Sequence, residues 1–156
     1  MKLLVPVDGS SASIDAVKKS IEIARKYNYS IKLINVVNFG SLSHLNRNER
    51  LWHYMDGSTI TETSELSKIA KENAEKLLNV IIDKLDFSDI KTEKEVLFGE
   101  PYEKVLEVAK NENFDLIVMG NRGFSKIKRF FVGSVTQKVI SEAPCPVLVI
   151  HSDDNH

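Results

Sequence analysis

Gly120-Asn121-Arg122-Gly123, followed after nine residues by Gly133-Ser134-Val135-Thr136, is the part of the chain whose residue types and spacing could do chemistry. Glycines let a backbone approach a phosphate closely and take positive φ where a turn needs it. Gly133-Ser134 opens a short helical pattern, where free N–H groups and the positive end of the helix dipole favour an anion. The hydroxyls of Ser134 and Thr136 add donors. Gly120 and Gly123 follow the apolar run Leu116–Met119, and ligands of open α/β sheets bind outside the carboxyl ends of strands. Two glycine turns and a helix start are therefore expected to converge on one triphosphate. Neither Gly-x-x-x-x-Gly-Lys-[Ser/Thr] nor Gly-x-Gly-x-x-Gly occurs, so this is neither a P-loop nor a dinucleotide fingerprint.

The elements that must hold this segment can be read from hydrophobic period. Apolar runs at Lys2–Val7, Ile31–Val37, Thr92–Leu97, Leu116–Met119 and Val147–Ile150 read as strands. Several are apolar almost without a break, as strands covered on both faces are. Four helical patterns lie between them. The first carries Ile14, Val17, Ile21 and Ala24, with Ser10, Ser11 and Ser13 as available caps. The second lines Leu66, Ala70, Ala74, Leu77, Ile81 and Leu85 on one face. Pro101 opens the third, which carries Val105, Leu106 and Ala109. The fourth places Val135, Val139 and Ile140 on its buried side and ends before Pro144. The order βαβαβαβαβ with right-handed crossovers predicts a three-layer doubly wound α/β fold.

Length and composition bound the rest. The chain has 156 residues, which at about 150 per domain predicts a single domain over 1–151, with a polar tail at 152–156. Residues 38–63 lack a period, and so long a connection reads as a functional loop, a lid or a disordered insert. Hydrophobic residues at 42% exclude a wholly disordered chain, and a net charge of -1 argues against a globally basic nucleic-acid binder. No apolar run is long enough to span a bilayer, and Pro6 and Asp8 come too early for a signal peptide. Cys145 is the single cysteine, so a reducing, cytoplasmic location is expected, with an inert buried thiol.

The spacing Gly-x2-Gly-x9-Gly-Ser resembles the ATP-binding motif of the universal stress protein family. The resemblance extends to Val5-Pro6-Val7-Asp8-Gly9-Ser10 and to Ala143-Pro144-Cys145-Pro146-Val147-Leu148-Val149-Ile150, so it covers most of the chain outside 38–63. It implies a five-stranded parallel sheet of order 3-2-1-4-5 with helices on both faces. It also implies ATP, or ADP or AMP, as ligand, with Mg²⁺. Pro6, Val7 and Asp8 would lie beside the adenosine, and Val36 would meet the adenine. Met119 and Gly120 would border the ribose and phosphates. Arg122 and Gly123 would follow the phosphate loop, and Gly133, Ser134, Val135 and Thr136 would close it. Family members pair through the last strand, which implies a homodimer, and the expected partners include neither nucleic acid nor membrane.

Other readings stand beside these. Asp8 is either a helix-start residue or a ligand to a ribose hydroxyl or Mg²⁺. Lys126, Lys128 and Arg129 are solvated surface, or one of them reaches a phosphate. Phe130 and Phe131 suit packing or dimer contacts. Trp52 and Tyr54 cover an apolar patch or form a lid, and both readings stay open. His44 and His53 lack the spacing of a structural metal site. Phosphoryl transfer needs a positioned nucleophile and charge stabilisation, and no convincing general base is visible. The leading function, as the resemblance implies, is an ATP-binding, nucleotide-dependent regulatory or interaction module in stress response. The alternatives are a slow ATPase or an autophosphorylating enzyme with Ser125, Ser134 or Thr136 as acceptor, and a nucleotide-free dimeric scaffold.

Overall fold

A strand held between two helix layers needs apolar side chains on both faces, and the uninterrupted runs supply them. The computed structural model describes residues 1–38, 65–123 and 132–152. The elements are β1 (Lys2–Pro6), α1 (Ser11–Tyr27), β2 (Ser30–Val37), α2 (Glu65–Lys84), β3 (Thr92–Phe98), α3 (Pro101–Asn111), β4 (Leu116–Gly120), α4 (Ser134–Glu142) and β5 (Val147–Ile150). All pairings are parallel, in the order β3-β2-β1-β4-β5, as expected. The winding reverses between β1 and β4, the switch point where such folds open a crevice.

Leu3, Val5, Ile31, Leu33 and Val118 pack against Ala16, Val17, Ile21, Leu78 and Ile81 of α1 and α2. Leu4, Ile34, Ile117 and Met119 face the other way, against Val105, Val108 and Ala109 of α3 and Val139 of α4. Leu3, Leu4 and Val5 are fully buried although neighbours point to opposite layers. Two helices therefore cover each face.

Two expected helix faces are corrected. α2 buries Ser67, Ala74, Leu78 and Ile81, while Leu66, Ala70, Leu77 and Leu85 are only half-buried. Steps of seven, four and three define that face, and a polar Ser67 gives it no hydropathy signal. Ile140 is 50% exposed, because Thr136 and Val139 fill the narrow inner stripe of the nine-residue α4.

Lys32 anchors the sheet on the α3 side. Its side chain is only 12% exposed and pairs with Glu95 Oε2 at 2.7 Å and Glu112 Oε1 at 2.6 Å. Burial alone would lower its pKa, but hydrogen bonds and charge from Glu112 and Glu95 outweigh this and raise it. This ion cluster ties β2, β3 and the end of α3 together.

Candidate functional site

The carboxyl ends of β1, β2 and β4 and the first turns of α1, α3 and α4 surround a cavity of about 290 Å³. The structure brings all twelve sequence-predicted site residues to its wall. Pro6, Val7 and Asp8 come from the end of β1, and Val36 from β2. Met119, Gly120, Arg122 and Gly123 come from β4 and its exit, and Gly133, Ser134, Val135 and Thr136 from the start of α4. Ser13, Ile34, Pro101 and Val105 also line it and were missed. Their residue types read as cap, core and helix-start signals. Only their placement at strand ends and first turns could have marked them.

Asp8 is tied to the start of α1. Ser10 caps α1, its Oγ accepting from Ser13 N at 3.3 Å. Asp8 Oδ1 in turn accepts from Ser10 N at 2.9 Å and Ser10 Oγ at 2.5 Å. Asp8 therefore fixes the cap residue and itself borders the cavity.

Gly120 is needed for close approach rather than for left-handed backbone. Among the described glycines, positive φ occurs at Gly9 and Gly99, and at none of the three motif glycines. A Cβ on Gly120 would lie 2.7 Å from the carbonyl carbon of Ala12 and 2.9 Å from Ser13 N. The first turn of α1 packs directly on the end of β4, and only a hydrogen fits between them. A Cβ on Gly123 would collide with Asp8 Oδ2.

α4 begins with donors to spare. Its ladder starts with Gln137 N donating to Gly133 O at 2.9 Å, and no side chain caps it. The N–H groups of Ser134, Val135 and Thr136 thus lie outside the helix's own bonding, at the positive end of its dipole. The Thr136 hydroxyl donates inward to Gly120 O at 3.0 Å and is buried. Of the two hydroxyls expected as ligand donors, the exposed Ser134 is the one facing outward. Gly133 N donates to Asn121 O at 2.7 Å, joining the two ends of the 122–132 excursion. Asn121 N also donates to Ile150 O at 2.8 Å, and its side chain bonds the His151 ring at 3.2 Å.

Backbone polarity at the other end of the cavity follows from strand alternation. Val7 N donates to Ile34 O at 2.8 Å, and Gly99 N to Val37 O at 3.0 Å. Residues 34 and 36 therefore direct their N–H and C=O toward β1, and 35 and 37 toward β3. β1 pairs with β2 only as far as Pro6 opposite Ile34. The N–H and C=O of Val36 thus face the gap where β1 has turned away, presenting one donor and one acceptor to the cavity.

Among the described residues, Arg122 and Asp8 are the charged side chains of the wall. No group of three or more His, Cys, Asp or Glu that could hold a metal ion occurs among them, and no described helix is long and apolar enough to cross a membrane. Cys145 is half-buried before β5, and burial, then the charge of Asp115, pushes its thiol pKa up. Residues 39–63 of the insert with His44, His53, Trp52 and Tyr54, the segment with Ser125, Lys126, Lys128, Arg129, Phe130 and Phe131, and the tail from 153 lie outside the described residues.

Known proteins share this architecture over nearly the whole chain. Universal stress protein MJ0531 of Methanocaldococcus jannaschii is 32% identical over 149 residues, which are 96% of this chain and 81% of that protein. The solved structure of universal stress protein UspA from Lactobacillus plantarum superposes with a TM-score of 0.74 at 26% identity, covering 96% of this chain and 97% of that one. Two more distant structures share the fold. A universal stress protein in complex with cAMP has a TM-score of 0.60 at 21% identity, covering 98% of each chain. An Arabidopsis thaliana family protein with AMP bound has a TM-score of 0.64 at 18% identity, covering 99% of this chain and 94% of its own. Residues 1–151 match the Universal stress protein family, and with this fold and these relatives the chain belongs to it.

Proposed function

We propose that the chain is an adenine-nucleotide-binding regulatory module, with ATP as its ligand and ADP or AMP as weaker alternatives. One observation carries the reading: the unbonded first turn of α4 and the unpaired edge of Val36 border the same cavity. The first suits phosphates and the second suits a base. Val36 N–H would donate to adenine N1 and its C=O would accept from the N6 amino group. Guanine offers a donor and an acceptor in the reverse order. Ile34, Pro101 and Val105 give the base apolar walls, and Arg122 and Ser134 add charge and a hydroxyl at the phosphate end. Mg²⁺ would sit on the phosphates and keep most of its waters, with Asp8 as the lining carboxylate able to join it. Related structures with cAMP or AMP support a nucleotide in this fold. Asp8 is the only carboxylate of the wall among the described residues, and Ser10 engages it, so binding fits better than turnover. Titration calorimetry with ATP and Mg²⁺ tests this. Saturable binding at one site per chain is expected, and no heat at millimolar nucleotide would overturn it.

We also propose a homodimer paired through β5. The outer edge of β3 carries Glu93, Lys94 and Glu95, charges that discourage pairing, whereas β5 reads Val147-Leu148-Val149-Ile150. Ile117 N donates to Pro146 O and Asn121 N to Ile150 O, so the even residues of this strand face β4. Val149 N–H therefore points off the sheet. Val149→Pro removes that outward donor and no rung to β4, so light scattering should report monomer from this variant and dimer from the parent. A parent that scatters as monomer at micromolar concentration refutes the pairing.

A further inference from the structure

Asn35 stands between Ile34 and Val36, yet alternation turns its side chain to the α1–α2 face, behind the cavity that its two neighbours line. It nevertheless reaches the edge of β1. In a parallel pair, one residue donates its N–H to the neighbouring strand and its C=O accepts from an N–H two residues further along that strand. Val7 N donates to Ile34 O at 2.8 Å, so the next rung would run from Val36 N–H to Val7 O. Among the described residues that rung is not made, and pairing stops at Pro6 opposite Ile34. Val7 O accepts instead from Asn35 Nδ2 at 2.8 Å.

We infer that Asn35 is a positioning residue: its side-chain amide occupies the acceptor that would otherwise capture Val36 N–H, and so holds that donor open to the cavity. The physical drive is the need of a backbone carbonyl for a partner. With the amide present, Val7 O is satisfied and β1 is free to turn toward Asp8. Without it, the nearest donor in register is Val36 N–H, and the ladder would close by one rung across the base end of the cavity. The consequence for ligands rests on the adenine-nucleotide reading above, whereas the ladder geometry does not.

The test compares the parent with Asn35→Ala and with Asn35→Asp, which keeps the side-chain shape but replaces the donor amide by an acceptor. Amide hydrogen exchange of Val36, read by NMR on nucleotide-free protein, reports the rung directly. Fast exchange is expected in the parent, slowed about ten-fold or more in both variants, as one new hydrogen bond would do. Melting temperature should stay near the parent's, and affinity for ATP should fall about ten-fold. Val36 protected in the parent, exchange unchanged in both variants, or full ATP affinity in both variants would each overturn the inference. If the parent binds no ATP, the nucleotide reading fails by itself, and the exchange comparison still decides what Asn35 does.

Discussion

Gly123→Ala offers a sharp test of how the site is assembled, because its nearest described neighbour is Asp8 Oδ2 and its backbone lies outside the left-handed region. A methyl group there must push the carboxylate aside or displace the loop. Asp8 would then lose its bonds to Ser10 N and Ser10 Oγ, at 2.9 and 2.5 Å in the parent. Hydrogen bonds to charged groups contribute about 1.5–3 kcal/mol when sheltered, and this exposed carboxylate belongs below that range, at roughly 1 kcal/mol for the pair. Replacing glycine by alanine at a compatible φ stabilises by about 0.4–1 kcal/mol through the unfolded chain. In the parent background these nearly cancel, and urea denaturation should show a loss of about 0–0.6 kcal/mol. In an Asp8→Ala background the obstacle is gone, and the same substitution should stabilise by about 0.4–1 kcal/mol. The sign change is the signature of coupling in a double-mutant cycle. Equal effects in both backgrounds would refute the contact. Parallel ATP titrations then separate displacement of Asp8 from obstruction of phosphate. Displacement makes the affinity loss disappear in the Asp8→Ala background, and obstruction leaves it intact.

Further expectations concern other parts of the molecule. Thr136→Val should cost about 1 kcal/mol in urea denaturation by removing the buried hydroxyl bond to Gly120 O, whereas Ser134→Ala should change stability by less than about 0.5 kcal/mol. If γ-labelled ATP ever transfers its phosphate to one of these two hydroxyls, peptide mapping should find it on Ser134 and not Thr136. Lys32→Met should destabilise by about 1–2 kcal/mol at neutral pH, since it strands Glu95 and Glu112, both partly solvated. Because the folded-state pKa of Lys32 is raised, its contribution is complete below the ordinary lysine value and is lost only as pH climbs through the folded one. Denaturation at mildly alkaline pH should therefore still show the full gap between parent and variant. Cys145 should alkylate more slowly than a free cysteine at pH 8, because burial and Asp115 hold its thiol protonated; faster labelling would contradict that placement.

The sheet was legible because buried parallel strands carry an unmistakable signal, seen in Leu3-Leu4-Val5 and Leu116-Ile117-Val118-Met119. Strand order came from the resemblance rather than from period, since hydropathy does not say which strand lies beside which. Helix faces were less legible where polarity and burial part company. Ser67 is fully buried on α2 and Ile140 half-exposed on α4, the reverse of what their side chains suggest. At the site, the glycines stood out by spacing, but their reasons did not. Gly120 answers to Ala12 and Ser13, more than a hundred residues earlier in the chain, and Gly123 answers to Asp8. Contacts of that separation exist only once β1 and β4 are neighbours. The same holds for Asn35, an ordinary polar residue in a strand until its amide is seen on Val7 O.

The bond from Gly133 N–H to Asn121 O has a bearing on engineering. Both ends of residues 122–132 are stapled at one point on the sheet, so changes in the length between them need not reach β4 or α4. Doubling the length of a closed loop costs only about 0.6 kcal/mol in closure entropy. Reporter peptides or affinity tags inserted there should leave the scaffold folded, making this excursion a natural port for grafting new sequence.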